Sequence, residues 1–139
     1  MALQIVWFRR DLRTTDHAAL ATAAARGPCL CLFVYEPEQL QAPDFDPIHL
    51  EFLNQSLASL DRRLQQLGNR LVLKIGRLPD IFVELHREFG ISAIYGHEET
   101  GNWLSYQRDR RVRAWARASG IPCREFPGNG VVRRLASRD

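Results

Sequence analysis

The sequence predicts a doubly wound α/β domain, in which helices cover both faces of a parallel β-sheet. Short, uniformly apolar runs rich in β-branched and aromatic residues alternate with longer segments that repeat apolar residues every three or four positions. Uniformly apolar runs are typical of strands buried on both faces, which occur in parallel sheets. The predicted element order is β-α-β-α-β-α-β-α-β, with right-handed crossovers.

Five short segments are the candidate strands. Four are strongly apolar, and the fifth is more polar, which favours a position at the sheet edge. In chain order they are LQIVWF (3–8), CLCLFVY (29–35), LVLKI (71–75), SAIYG (92–96) and PCREF (122–126).

Helical patterns separate the strands. The first predicted helix is rich in alanine, has Asp16 as its N-cap and is ended by Gly27 and Pro28. The second and longest extends from about Pro47 to Leu67. Its apolar stripe, expected to pack on the sheet, consists of Leu53, Leu57, Leu60, Leu64 and Leu67.

Two further helices follow. The third has Pro79 in its first turn, and its apolar residues are Leu78, Ile81, Phe82, Leu85 and Phe89. The fourth spans roughly Trp103 to Ser119, with its arginines expected to point outward. Its residues expected to point inward are Leu104, Val112, Trp115 and Ala116.

The composition is that of an ordinary globular domain. The 139 residues are 45% hydrophobic and 25% charged, and a net charge of +3 does not by itself indicate nucleic-acid binding. The three cysteines form no CxxC pair, which favours reduced, buried thiols in a cytoplasmic protein. No apolar run approaches 18 residues, so no membrane segment is predicted.

The chain divides into one domain and a short tail. Residues 1–127 contain all the predicted elements and form the α/β domain. Residues 128–139, GNGVVRRLASRD, combine glycines and arginines with too few apolar residues to form an element of their own. We expect this tail to be the start of a linker to a further domain.

Polar residues stand at the ends of three predicted strands, at the edge where sheets of this class bind ligands. They are Arg9, Arg10 and Asp11 after strand one, Tyr35 and Glu36 at the end of strand two, and His97, Glu98 and Glu99 after strand four. If strands one and four are neighbours, these groups converge in one crevice. Carboxylates beside guanidiniums could hold an amide-bearing, phosphate-bearing or polyanionic planar ligand, because a guanidinium both hydrogen-bonds and stacks.

The same residues have structural alternatives. Asp11 with a nearby arginine could fix the turn after strand one, Glu98 and Glu99 could be solvated loop charges, and His97 could be a surface histidine. The arginines of the fourth helix could contact phosphates non-specifically or form a solvated face. No GxGxxG, GxxxxGK[ST] or GxSxG motif and no metal-ligand spacing is present. We therefore predict no catalytic and no metal-binding residues in this chain.

Four stretches resemble the N-terminal region of the DNA photolyase/cryptochrome family and occur in the family's order. They are IVWFRRDLRTTDHAAL from residue 5, LFVYEPEQL at strand two, EETGNWLSYQRDRRVRAW from Glu98, and FPGNGVVRRLASRD at the end. A single RRDLR would be weak support, whereas four stretches in register cover essentially the whole chain.

The resemblance implies a Rossmann-like, three-layer sandwich with a five-stranded parallel sheet in the order 3-2-1-4-5. Family members continue into a larger helical domain that binds FAD, accepts the damaged bases of DNA and performs light-driven electron transfer. That domain is absent from this chain, so UV-damaged DNA would be bound through the missing part and not by a specific site here. The full-length protein is expected to be a monomer.

In many family members the N-terminal domain holds an antenna chromophore, which passes excitation to the flavin. The resemblance favours 8-hydroxy-5-deazaflavin or a flavin nucleotide in the crevice, although some members hold no antenna. Methenyltetrahydrofolate is less expected, because Ser105 stands where folate-binding members carry an acid. The residues expected to bind the antenna are Arg10, Asp11, Tyr35, Glu36, His97, Glu98 and Glu99.

Three functions are compatible with these patterns. The chain can be the non-catalytic antenna domain of a deoxyribodipyrimidine photolyase, a lyase that repairs UV-induced pyrimidine dimers in blue light. It can instead belong to a cryptochrome-like photoreceptor without repair activity, or be a free-standing nucleotide- or chromophore-binding module. Residues that distinguish repair from signalling lie in the missing domain. We expect repair.

Overall fold

Helices cover both faces of one parallel sheet in the computed structural model, which describes residues 2–42, 46–99 and 101–127. Within these ranges the elements are β1 (Leu3–Phe8), α1 (Ala18–Arg26), β2 (Cys29–Tyr35), α2 (Pro37–Leu40), α3 (Pro47–Gln66), β3 (Leu71–Ile75), α4 (Asp80–Phe89), β4 (Ile91–His97), α5 (Trp103–Ala118) and β5 (Cys123–Phe126). The predicted linker, residues 128–139, lies outside the described residues.

The strands are parallel and lie in the order β3-β2-β1-β4-β5. The central strand β1 pairs with β2 on one side and β4 on the other, so that Val6 lies between Cys31 and Tyr95. The predicted doubly wound class and the 3-2-1-4-5 order are therefore confirmed. The chain direction across the sheet reverses between β1 and β4, which opens a crevice at the carboxyl ends of these strands.

Two apolar cores lie on opposite faces of the sheet, because successive side chains of a strand alternate between the faces. On one face, the ring of Trp7 packs edge-on against Phe82 of α4, with 5.3 Å between centroids, and α5 contributes Val112. On the other face, Phe8 belongs to the core that includes Leu60 of α3. Burial on both sides holds β1 rigidly, and with it the residues that leave its carboxyl end.

The ends of two helices depart from their predicted apolar pattern. Leu67 is 66% exposed, because α3 ends at Gln66 and Leu67 is the C-cap. Phe89 is the last residue of α4 and is 45% exposed. The middle of the α3 stripe is buried as predicted. In the described ranges, no helix combines the length and the apolar composition needed to cross a lipid bilayer.

The sequence predicts Asp16 as the N-cap of α1, but in the structure the N-cap is His17. Asp16 has a left-handed backbone conformation, with φ of 50°, whereas His17 is extended and its Nδ1 accepts the backbone N–H of Leu20 at 3.0 Å. The imidazole therefore takes the role that a short polar side chain usually fills. The short helix α2 (Pro37–Leu40) is a further element that the sequence pattern does not predict.

Candidate functional site

A cleft of about 240 Å³ opens at the carboxyl ends of β1 and β2, beside α2, α3 and α5. We call it the carboxyl-end cleft. Part of its wall is apolar and is formed by Trp7, Phe8, Phe33 and Leu53. The cleft lies at the edge of the sheet where doubly wound domains bind their ligands, and its mixture of aromatic and polar side chains is typical of small-molecule sites.

The carboxyl-end cleft brings together four of the residues predicted to bind a cofactor, namely Arg10, Tyr35, Glu36 and Glu99. Arg10 is exposed at the mouth, and its Nε donates a hydrogen bond of 2.9 Å to Glu99 Oε2. The hydroxyl of Tyr35 donates to Asn54 of α3 at 2.5 Å. The first contact joins the ends of β1 and β4, and the second joins the end of β2 to α3. The ends of the three strands border one space, as the sequence predicts.

Arg108 of α5 holds the inner wall of the cleft together. It is only 3% exposed, and its three nitrogens donate to Glu36, to Glu99 at 2.6 Å and to Asp109 at 2.9 Å. The prediction that the arginines of this helix point outward is therefore wrong for Arg108. The helical spacing could have indicated the burial of Arg108, because it lies four residues before Val112 and shares the buried face of α5 with it.

The electrostatics of this wall follow from burial. Burial raises the pKa of Glu36, and the neighbouring Arg108 offsets only part of that rise. Burial would lower the pKa of Arg108, but the carboxylates of Glu36, Asp109 and Glu99 raise it above its ordinary value. Arg108 therefore stays a cation, while Glu36 holds a proton more tightly than a free glutamate does.

Asp11 and His97, two more predicted residues, lie outside the cleft lining in a buried cluster with His17. Asp11 Oδ2 lies 2.6 Å from His17 Nε2 and 2.7 Å from His97 Nδ1, while Oδ1 accepts the backbone N–H of Arg9 at 2.9 Å. Burial would raise the pKa of Asp11, but the hydrogen bonds from His17, His97 and Arg9 hold it well below its usual range. Asp11 thus braces the turn that follows β1.

The same cluster brings three metal-ligand atoms within 4.8 Å of one another, one each from Asp11, His17 and His97. Because His17 Nδ1 accepts the N–H of Leu20, the proton of the neutral ring lies on Nε2, the atom that faces Asp11. A metal ion on Nε2 would require this proton to move to Nδ1, against another N–H donor. The arrangement therefore suits hydrogen bonding better than metal binding. His17 lies in the first stretch that resembles the family, but no metal-ligand spacing in the sequence pointed to it.

Glu98, the remaining predicted residue, is exposed and lines a different depression of about 450 Å³ near the ends of β4 and β5. Acidic side chains dominate this acidic depression, namely Glu98, Glu99, Asp109 and Glu125. Glu99 borders both spaces. The structure thus separates Glu98 from the group in the carboxyl-end cleft.

Arg9 is buried and links β1 to α5. Its Nη1 donates to Asp109 at 3.0 Å, its Nη2 donates to the carbonyl oxygen of His97 at 2.5 Å, and its guanidinium lies 4.1 Å from the ring centroid of Trp7. Gly96 makes this approach possible, because a Cβ there would lie 3.2 Å from Arg9 Nη2 and 3.3 Å from the Trp7 carbonyl oxygen. Both arginines of the turn line the carboxyl-end cleft, but the first is buried and bound within the domain, whereas the second is exposed at the mouth.

The structure defines a domain of the doubly wound α/β class with a cleft at the carboxyl ends of its strands. The chain belongs to the DNA photolyase family, whose family model, described as DNA photolyase, matches residues 4–136.

The relatives of this chain include proteins named cryptochromes and proteins named photo-lyases. The chain is 37% identical over 127 residues to cryptochrome-1 of Arabidopsis thaliana, a match that covers 88% of this chain and 18% of the relative. It is 33% identical over 118 residues to a deoxyribodipyrimidine photo-lyase of Synechococcus, covering 84% of this chain and 24% of the relative.

A solved structure shares the fold. The archaeal photolyase from Sulfolobus tokodaii, described with two FAD molecules and as implying a novel light-harvesting cofactor, superimposes with a TM-score of 0.81 at 28% identity. This match covers 90% of this chain and 29% of the archaeal chain. The chain thus spans between 18% and 29% of the length of these three proteins.

Proposed function

We propose that this chain is the antenna-chromophore domain of a deoxyribodipyrimidine photolyase, and that the full-length protein uses blue light to repair UV-induced pyrimidine dimers in DNA. The observation that carries the proposal is the carboxyl-end cleft, with its aromatic walls and its converging arginine and glutamate side chains, in a chain of the DNA photolyase family. The similarity to a named photo-lyase supports repair.

The chemistry of repair is assigned to the part of the protein beyond this chain. FAD, held there by a helical domain, would supply the light-driven electron transfer to the dimer, and damaged DNA would bind to the same domain. This chain alone is not catalytic. Its own residues bind and orient the antenna, close to a flavin that receives the excitation.

A flavin nucleotide or 8-hydroxy-5-deazaflavin fits the carboxyl-end cleft better than methenyltetrahydrofolate does. The cleft offers an apolar lining for a ring system and both guanidinium and carboxylate groups for its polar edge. Ser105, where folate-binding members carry an acid, is buried and accepts a hydrogen bond from Gln39 at 3.1 Å, so it has no anionic group to offer. The two FAD molecules described for the archaeal photolyase support a flavin antenna.

The seven predicted residues would then have distinct roles. Arg10, Tyr35, Glu36 and Glu99 contact the chromophore directly, since they line the cleft. Asp11 and His97 act through the turn after β1, because their hydrogen bonds fix the backbone that carries Arg10. Glu98 would contribute from the neighbouring acidic depression.

A cryptochrome-like photoreceptor without repair activity is the second candidate. The 37% identity to Arabidopsis cryptochrome-1 favours it. A free-standing chromophore-binding module is the third, and it requires that the gene encode no further domain.

The test uses the full-length product of the gene. Its flavin content is measured first, followed by thymine-dimer repair in blue light and in darkness. Repair that depends on light supports the photolyase proposal. Bound flavin without repair supports the photoreceptor, and a gene product without a further domain supports the module.

A further inference from the structure

The inner wall of the carboxyl-end cleft is rich in hydrogen-bond acceptors. Arg108, its buried cation, already donates to three carboxylates, so its charge is not available to a phosphate. The hydrogen bond from Arg108 engages Glu36 Oε2, and the other oxygen of that carboxylate lies outside this ion pair. Glu99 is different, because Arg108 binds its Oε1 and Arg10 binds its Oε2. Of these two carboxylates, Glu36 is therefore the one with an oxygen outside the ion pairs that can accept a hydrogen bond from a ligand.

The mouth of the cleft has the opposite polarity. The side chain of Arg10 is 70% exposed, and only its Nε is used in the hydrogen bond to Glu99. Its guanidinium fork therefore faces solvent at the rim, where a phosphate can accept two parallel hydrogen bonds from it. Arg9, the neighbouring arginine, is buried and bound to Asp109 and to the His97 carbonyl.

The size of the cleft limits what can enter it. Pockets that enclose a whole drug-sized ligand measure roughly 300–1,000 Å³, whereas this cleft measures about 240 Å³. A space of this size accommodates a ring system more readily than a complete nucleotide. We therefore expect the ring inside the cleft, against its apolar lining, and the charged tail at the rim, next to Arg10.

We propose that the carboxyl-end cleft selects a planar heterocycle through an N–H edge that donates to Glu36, with the phosphate tail directed outward to Arg10. Flavins have such an edge, because N3 of their pyrimidinedione ring carries a hydrogen, and 5-deazaflavins share it. Glu36 is thus the specificity-determining residue. This inference rests on the proposed antenna function of the same cleft.

The test compares flavin mononucleotide with its N3-methyl analogue, which lacks the N–H donor. Fluorescence titration of the chain with each compound gives two dissociation constants, for the wild type and for Glu36→Ala. Glu38→Ala is the matched control, because Glu38 lies in helix α2, two residues after Glu36, is half exposed, pairs with Arg77 and Arg111, and lies outside the cleft lining. Circular dichroism verifies that each variant is folded.

A hydrogen bond to a charged acceptor is worth about 10-fold to 100-fold in affinity. We expect N3-methylation to weaken binding by at least about 10-fold in the wild type and in Glu38→Ala, but by less than about 2-fold in Glu36→Ala. Equal affinity of the wild type for both compounds would overturn the role of Glu36 and leave the antenna function standing. Absence of binding by flavin mononucleotide and by 8-hydroxy-5-deazaflavin would instead contradict the antenna function itself. If Glu36→Ala does not fold, the wild-type comparison still tests the N–H contact, because equal affinity for both compounds would exclude it.

Discussion

The carboxylate of Glu99 accepts a hydrogen bond of 2.6 Å from the buried guanidinium of Arg108. Arg108 also binds Glu36, so one helical side chain joins the ends of β2 and β4 on either side of β1. The order of the strands reverses at β1, and Arg108 therefore connects the strand ends on both sides of this reversal. The contacts of Arg108 with Glu36 and Glu99 therefore hold the wall of the carboxyl-end cleft in a fixed arrangement.

Replacement of Arg108 is expected to destabilise the domain. Arg108→Gln leaves Glu36 and Glu99 without their shared cation in a buried setting, and the loss of one partner of a buried pair costs about 3–5 kcal/mol. Urea unfolding monitored by circular dichroism measures the change. Arg110→Gln is the control, because Arg110 is exposed on the same helix, and a change within ~0.5 kcal/mol is expected there. Similar values for the two variants would contradict the bridging role of Arg108.

Arg10 is expected to contribute to binding of the phosphate and not of the ring. Arg10→Gln should weaken the binding of flavin mononucleotide by roughly 3-fold to 10-fold, the modest effect of an exposed charge-assisted contact. The affinity for riboflavin, which lacks the phosphate, should fall by less than about 2-fold. Fluorescence titrations of both ligands measure this difference, with Arg117→Gln on the exposed face of α5 as the control. An equal loss for both ligands would place the contact of Arg10 on the ring.

Asp11 is expected to make stability depend on pH. Its pKa is lowered in the folded state, so its stabilising contribution is complete above the unfolded pKa of about 4 and is lost as pH falls toward the folded value. At pH 7, Asp11→Asn should lower the free energy of unfolding by about 2–5 kcal/mol.

The difference between wild type and Asp11→Asn should narrow as the pH falls from about 5 to about 3. Urea unfolding at several pH values measures it. A difference that stays constant over this range would mean that the charge of Asp11 contributes nothing to stability.

Two leucines of the predicted α3 stripe are expected to respond differently to truncation. Leu57 is 2% exposed, so Leu57→Ala should cost about 2–5 kcal/mol of unfolding free energy. Leu67 is 66% exposed, so Leu67→Ala should cost less than ~0.5 kcal/mol. Chemical denaturation of both variants tests this contrast, and equal losses would contradict the observed end of α3.

The fold was predictable because its signals are strong and local. The uniformly apolar run of β1 and the cysteine–leucine alternation of β2 required buried parallel strands, and both segments have the predicted bounds. Helix ends were harder. The capping of α1 by His17 depends on a left-handed backbone at Asp16 that no composition rule anticipates. Leu67 continues the spacing of the apolar stripe of α3, but it follows the last helical residue, so it does not pack against the sheet.

The site was predictable only in outline. The strand-end rule placed Arg10, Tyr35, Glu36 and Glu99 in one cleft. The rule could not assign Asp11 to a buried cluster, because that depends on two histidines that are 80 residues apart in the chain, at positions 17 and 97. Arg108 was missed because a charged residue in an arginine-rich helix is normally solvated, and only the three carboxylates around it make its burial tolerable.

The most direct test of the proposed function is the action spectrum of dimer repair by the full-length protein. The repair rate is measured against the wavelength of light for the wild type, Glu36→Ala and Glu38→Ala. We predict that repair requires light, that an antenna band adds to the band of FAD, and that Glu36→Ala loses the antenna band alone while Glu38→Ala keeps both. No light-dependent repair, or a wild-type spectrum without an antenna band, would contradict the assignment of this chain as a photolyase antenna domain, whereas an antenna band that Glu36→Ala retains would contradict only the role of Glu36.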